Sequence, residues 1–246
     1  MPASALLLAA SIASLNLCTD EYLLLLARPS EIASVSYLSQ DPLESPLWRE
    51  ARRHPANRGS IEQVLGHEPD LILTMGGGGR ATSLIARRMN IRTLELAPTS
   101  SLDDVRTNLR AVAAALGDAE RAQPWVDRLE QLRRTAPNGA RDTIFLSGGG
   151  QSLGANSPGA EWLRLAGLSQ RPLQGQRASL ETLLARPPEV LVQSNYRVGQ
   201  VSRGARWGDH PVVRNVLARR LTTDGRAWTC LGPLLIAEIE QLKAVR

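Results

Sequence analysis

Lysine is almost missing from this chain: Lys243 is the only one, so the net charge of +5 at pH 7 is carried by arginine. Aromatic residues are also scarce, 4% of the sequence with a single phenylalanine, and there are only two cysteines and three histidines. Each shortage excludes something. Cys18 and Cys230 stand too far apart in sequence for a metal-type motif and suit either redox compartment. His54 and His210 each precede a proline in a loop, and His67 sits on a helical segment, none with a recognisable partner. No G-x-S-x-G elbow, H-E-x-x-H or paired-carboxylate motif occurs, so an enzyme is not expected, and neither a bound metal nor a cofactor. No apolar run reaches the roughly eighteen residues of a membrane span, which excludes insertion into a bilayer.

The charge is uneven. Residues 136–246 hold 14 basic against 8 acidic groups, whereas residues 1–100 hold 9 against 10. A basic C-terminal half can attract nucleic acid, a small anion or an acidic surface. Nucleic acid is excluded by the few aromatics and by arginines scattered through loops and helices. A solvated arginine-rich surface fits the same composition.

A length of 246 residues can bury a sizeable core as one or two domains. Short apolar runs alternate with helical patterns, which predicts βα units and parallel sheets. Strands are expected at Ile12–Leu15, Ile32–Ser36, Asp70–Thr74 and Thr93–Leu96, with Thr19 and Asp20 capping a helix over 21–27 and Ser60 capping another. From Ser101 to about Arg134 helical periodicity is broken only at Gly117 and Pro124. A second series follows: a strand at Thr143–Leu146, a helix near 160–166, a strand at Val190–Gln193 and a last helix over 234–244. The expected organisation is therefore an α/β lobe over 11–100, a helical bridge over 101–135 and a second α/β lobe over 136–246.

An internal repeat supports related lobes. Ser60-Ile-Glu62-Gln-Val-Leu65-Gly-His-Glu-Pro69-Asp70-Leu-Ile-Leu73 matches Ser179-Leu-Glu181-Thr-Leu-Leu184-Ala-Arg-Pro-Pro188-Glu189-Val-Leu-Val192 at an offset of 119 residues. Each copy reads as an N-cap serine, a glutamate in the first turn, a buried leucine, a proline stop and an acidic residue leading into an apolar strand.

Ligands of open α/β sheets bind beyond the C-terminal ends of parallel strands. In the first lobe those ends carry Asn16, Tyr37 and Met75, followed by the glycine loop Gly76–Gly79 and Arg80. In the second they carry Asn195, Tyr196, Arg203, Arg206 and Trp207, with Trp228 in the last loop. Aromatic faces beside guanidinium groups suit a flat or catecholate-like anion. The glycine loop also fits a loose dinucleotide fingerprint through Gly76, Gly78 and Ala81, with Glu95 further on, so a Rossmann-type nucleotide-dependent enzyme is the alternative reading.

The opening Ile12-Ala-Ser-Leu-Asn-Leu-Cys-Thr-Asp-Glu21, then Val35-Ser-Tyr37 with Asp41-Pro42, then Asn57-Arg-Gly-Ser-Ile-Glu62 with Pro69-Asp70, resemble a known family in order and spacing. Ser101-Leu-Asp-Asp104, Ser179-Leu-Glu181 and Leu184-Ala-Arg-Pro187 extend the resemblance over nearly the whole chain. The family is that of the periplasmic substrate-binding proteins of ABC importers for cobalamin and ferric siderophores. The resemblance implies two Rossmann-like lobes joined by a long bridging helix, a metal-chelate ligand in a cleft between them, and a monomer. It implies as partner an ABC permease with its ATPase subunits, whose arginines would pair with Glu62 and Glu181. Where the cobalamin-binding relative has tryptophans this chain has Ala56, Met75 and Gly175, which turns the expectation toward an anionic ferric chelate. A periplasmic location is implied as well, the apolar Ala5–Ala10 lacking the positive flank of a secretory signal, so that the signal is incomplete or absent in this chain. An oxidising compartment would also permit a Cys18–Cys230 disulfide, two separate thiols being the other possibility.

Overall fold

The computed structural model describes residues 11–76, 79–197 and 203–245. The chain divides into two compact units, the first made of residues up to Pro98 with Thr107–Gln123, the second of Thr99–Arg106 with the residues from Pro124 on.

In the first unit the order is β1 (Ile12–Ser14), α1 (Leu17–Leu26), β2 (Ile32–Ser36), α2 (Trp48–Ala51), β3 (Ala56–Asn57), α3 (Ile61–Leu65), β4 (Leu71–Met75), α4 (Gly79–Arg88) and β5 (Arg92–Leu96). The strands form one parallel sheet in the order β3-β2-β1-β4-β5. Parallel neighbours need crossover connections, and the intervening helices supply them. Central strands covered on both faces read as unbroken apolar runs, and Ile12, Ala13, Ile72 and Leu73 are fully buried. Ile61 and Val64, one helical turn apart, join Ala13, Leu15 and Ile72 in a common core cluster.

Thr19 and Asp20 do not cap the first helix. It starts earlier, and Asn16 is the cap: its Oδ1 accepts from the backbone N–H of Cys18 at 3.1 Å and of Thr19 at 3.0 Å. Both residues expected as caps are fully buried, Thr19 completing the capping box from inside the first turn.

Residues 101–135 are helical in two pieces, α5 (Leu102–Ala115) and α6 (Gln123–Arg134), with a 3-10 turn over Ala119–Ala122. Gly117 at φ +76° follows the end of α5, and Asp118 caps the turn by accepting from Glu120 N–H at 3.2 Å. Within the first unit Arg121 donates to both carboxylate oxygens of Glu31, at 2.5 and 2.9 Å, and to Leu26 O at 3.3 Å. This fork fastens the Thr107–Gln123 segment to its unit.

The second unit runs β6 (Arg141–Leu146), α7 (Pro158–Leu165), β7 (Leu168–Gln170), α8 (Leu180–Ala185), β8 (Val190–Asn195), α9 (Arg203–Gly208), α10 (Pro211–Arg214), β9 (Arg219–Asp224) and α11 (Leu235–Val245). Its parallel sheet has the order β7-β6-β8-β9. That is the order of β2-β1-β4-β5, and the repeated sequence falls on α3–β4 in one sheet and α8–β8 in the other. The fold class expected from the sequence, α/β with two parallel-sheet lobes, is the one observed. One detail of the repeat is corrected: the buried position is Val64 or Leu183, whereas Leu184 is 65% exposed and Leu65 half-buried. The i, i+3 pairs Ile61/Val64 and Leu180/Leu183 face the sheet, which turns the next residue outward.

Candidate functional site

A pocket of the first unit opens at the C-terminal ends of β2 and β3. It has a volume of about 730 Å³ and is lined by Tyr37, Ala56, Asn57, Arg58 and Gln63. Each wall has a traceable anchor. β2 ends at buried Ser36, and Tyr37, 53% exposed, opens a 3-10 turn over Tyr37–Gln40. Ser36 is held from behind by Asp20 on α1: its N–H donates to both carboxylate oxygens at 3.1 Å, and its hydroxyl donates to Oδ2. Burial pushes the Asp20 carboxyl up to about 7, against the downward pull of the Ser14, Ser36 and Ser39 hydroxyls and the Ser36 N–H. Ser39 Oγ closes the turn onto Ser36 O at 2.8 Å.

The opposite wall is equally fixed. Asn57 is buried, with Nδ2 donating to Ser14 O at 2.8 Å and to Ser34 Oγ at 3.0 Å, and Oδ1 accepting from Gly59 N–H at 2.9 Å. Arg58 N–H donates to Gln63 Oε1 at 2.5 Å. Gly59 has φ +80°, and a Cβ there would stand 2.9 Å from Leu15 O, so the turn admits no larger residue unstrained. Tyr37 and Arg58 thus line one pocket from pinned backbone. A phenol can stack on a flat ligand or bind ferric iron as phenolate, and a guanidinium pairs with carboxylate in a fork.

Of the expected contacts, Tyr37 lines this pocket. Asn16, half-buried, follows β1 and Met75, half-buried, ends β4, with Gly76 at φ +79° after it. β1 and β4 are the adjacent strands at which the order reverses, where ligands of open α/β sheets sit. Asn16 also spends its side-chain oxygen on the helix cap. Arg80 and Arg203 belong by backbone to α4 and α9, and their side chains, like Gly77 and Gly78, lie outside the described residues. The first βα turn, where a dinucleotide fingerprint belongs, is Leu15-Asn16 without glycine.

In the second unit Asn195 ends β8 exposed, followed by Tyr196, 39% exposed, with the Arg197 guanidinium 5.6 Å from its ring centre. A Cβ on Gly225 would meet Tyr196 Cβ at 2.6 Å, so glycine there makes room for this strand end. Arg206 is exposed. Trp207 is half-buried against the core of Ile144, Leu146 and Leu183 and stacked on Gly150, whose missing Cβ leaves its place to the indole. Trp228 departs from the expectation of a ligand contact: it is 8% exposed, its indole N–H donates to Thr223 Oγ1 at 2.8 Å, and its ring lies 4.6 Å from that of Phe145. A buried tryptophan needs a partner for its N–H, and Thr223 supplies it. Asn57, Arg58 and Gln63 were not foreseen; β3 is a two-residue strand with no apolar signal, though the resemblance had already singled out Asn57-Arg-Gly.

Glu62 and Glu181 are both exposed in the first turns of α3 and α8. Both carboxyls are held below the usual glutamate range by the same pair of donors, first their own backbone N–H, then the hydroxyl of Ser60 or Ser179. Ser179 caps α8 by accepting from Thr182 N–H at 3.1 Å, whereas Ser60 makes no such bond. Cys18 and Cys230, the chain's only cysteines, are both disulfide-bonded, with no free thiol.

These features belong to a binding-protein architecture, and comparison agrees. The chain belongs to the periplasmic binding protein family, whose model matches residues 12–206. No curated protein matches it by sequence. Among solved structures it is similar to a periplasmic heme-binding protein from Pseudomonas aeruginosa, at 22% identity over 96% of this chain and 91% of that one, TM-score 0.72. It is similar to the periplasmic heme-binding protein RhuT from Roseiflexus sp. RS-1 in apo form, at 22% identity over 96% and 97%, TM-score 0.69. It is also similar to the periplasmic vitamin B12 binding protein BtuF of Vibrio cholerae, at 22% identity over 96% of each chain, TM-score 0.61. Identities this low speak for the fold, which is the one that the sequence resemblance implied.

Proposed function

We propose that this chain is the periplasmic capture subunit of an ABC importer for a metal chelate with anionic arms, and that it is not an enzyme. The observation that carries the reading is the Tyr37–Arg58 pocket at the strand ends of a periplasmic binding protein. Its phenol and guanidinium suit a ferric or tetrapyrrole chelate bearing carboxylates, and the names of the similar structures, two heme-binding and one B12-binding, favour that class. Asn16, Met75, Gly76, Asn195, Tyr196 and Arg206 are the further contacts proposed. Glu62 and Glu181, alike in exposure, helix position and ionisation, are proposed to meet arginines of the permease, which with its ATPase completes the transporter. Two disulfide-bonded cysteines agree with an oxidising compartment.

The test is calorimetric titration of the purified protein with hemin, cyanocobalamin and a ferric catecholate, with NAD and ATP alongside. Binding of one chelate that weakens at least tenfold in Arg58→Ala and Tyr37→Ala supports the proposal. Binding of NAD or ATP with no response to any chelate refutes it.

A further inference from the structure

We propose that Asp20 is the positioning residue of the Tyr37 pocket: its ionised carboxylate clamps Ser36 and so aims the adjacent phenol, and its protonation releases that aim. The inference rests on the pocket reading above.

The clamp is geometric. Asp20 is fully buried, and three hydrogen bonds run to it from one residue, two from the Ser36 N–H at 3.1 Å and one from the Ser36 hydroxyl. Ser36 is the last residue of β2, and Tyr37 is the next in the chain. Among the described residues the bonds to the carboxylate come from Ser36, the Ser14 and Ser39 hydroxyls add to the same downward pull, and none of these groups carries a charge. Of the elements packed on α1, the strands β1, β2 and β4 bear no ionisable side chain, the 3-10 turn bears Tyr37, and Arg121, which donates to Leu26 O at the last residue of α1, is paired with Glu31. On α1 itself Glu21 and Tyr22 follow, both buried. A buried carboxylate surrounded by neutral donors is ionised at a cost, and burial leads the causes that bring its titration to about 7.

Ionised, the carboxylate is acceptor-only and matches the two donors of Ser36. Protonated, it becomes a donor itself and can no longer receive both with both oxygens. The bifurcated bond from the Ser36 N–H then falls to a single oxygen and the Ser36 hydroxyl meets a donor where it had an acceptor, so the clamp on the residue before Tyr37 loosens while Ser36 stays paired with Asn57 of β3. The phenol loses its fixed place in the pocket. If the aimed form is the binding form, apparent affinity follows its population, which changes about tenfold between pH 8 and pH 6 for a group titrating near 7.

The experiment uses the ligand-free full chain with ring-¹³C tyrosine. Its three tyrosines, Tyr22, Tyr37 and Tyr196, are assigned through single phenylalanine variants. The Tyr37 signal is expected to titrate as a one-proton step near pH 7 while Tyr196 stays flat. In Asp20→Asn the Tyr37 step disappears. In Ser36→Ala, which loses one of the bonds that pull the Asp20 carboxyl down, the midpoint moves up. A Tyr37 signal that is flat in the native chain, that titrates unchanged in Asp20→Asn, or whose midpoint stays put in Ser36→Ala overturns the proposal, so it remains testable even if Asp20→Asn does not fold. Hemin is the binding probe, expected to bind about tenfold more weakly at pH 6 than at pH 8 in the native chain and independently of pH in Asp20→Asn. If hemin fails to bind while Tyr37 titrates as described, the ligand reading falls and the positioning role stands.

Discussion

Replacing Asp20 with asparagine is expected to make the protein more stable, by an amount that depends on pH. In the unfolded chain the carboxyl titrates at its ordinary 3.8, in the folded chain at about 7. Between those values the folded state holds a proton that the unfolded state has released, so stability falls as pH rises from about 4 to about 7 and is level above that. The cost is absent below the unfolded value and complete above the folded one. A gap of about three pKa units corresponds to about 4 kcal/mol at pH 8, about 2 kcal/mol at pH 5 and under about 1 kcal/mol at pH 4. Asparagine keeps the shape, offers Oδ1 to the Ser36 N–H and can turn its amide hydrogens to the hydroxyls of Ser14 or Ser36, so little of this gain is lost to unmade bonds. Urea unfolding of the native and Asp20→Asn proteins at pH 8, 5 and 4 measures the difference directly. A stability advantage that shrinks on acidification supports the reasoning. An advantage that is constant across this range, or a variant less stable at pH 8 than at pH 4 relative to native, refutes it.

Reversing the two charges proposed for docking, Glu62→Arg with Glu181→Arg, is expected to leave ligand affinity and melting near native while uptake and stimulation of the transporter ATPase are lost, because like charges would then face the permease arginines proposed as their partners; full transport by the double variant would remove the assignment. Gly59→Ala forces a side chain into φ +80° and against Leu15 O, an expected loss of about 1–3 kcal/mol in denaturant titrations together with weaker ligand binding, as the Arg58 turn shifts. Thiol counting on the unfolded, unreduced protein should find no free thiol, and reduction should lower stability by about 2–4 kcal/mol. Trp228→Phe should cost about 1 kcal/mol for the lost bond to Thr223 and leave ligand affinity unchanged.

What the sequence made legible is what obeys a period. Strands buried on both faces announce themselves as apolar runs, and β2 was expected at the residues it occupies, Ile32–Ser36. The elements that escaped have no such signal. β3 is two residues long, β7 three, and β9 reads Arg-Arg-Leu-Thr-Thr-Asp, with only Leu221 and Thr223 turned to the interior. The repeat was visible because each copy is a short capped helix before a buried strand, and its topology recurs in both sheets. The bridge was legible as helix but not as two helices, since one glycine in a helical pattern signals a stop only when its φ is known to be positive.

The site was legible by place and less so by residue. The strand-end rule put Tyr37 and Asn195 at the C-terminal ends of their strands, where β2 and β8 do end, because it depends on topology alone. It also put forward Trp228, whose aromatic ring is as useful to a core as to a ligand, and only the bond to Thr223 distinguishes the two uses. Asp20 shows the deeper obstacle. From the sequence, an acidic residue four places after Asn16 at a helix start looks like a cap or a dipole partner, roles that suit an exposed carboxylate. Folding instead turns it inward onto Ser36, sixteen residues away, at a cost in stability that no core needs. A buried carboxylate without a cation is retained against that cost when its ionised form organises something else, and the neighbour it organises is the residue that faces the pocket.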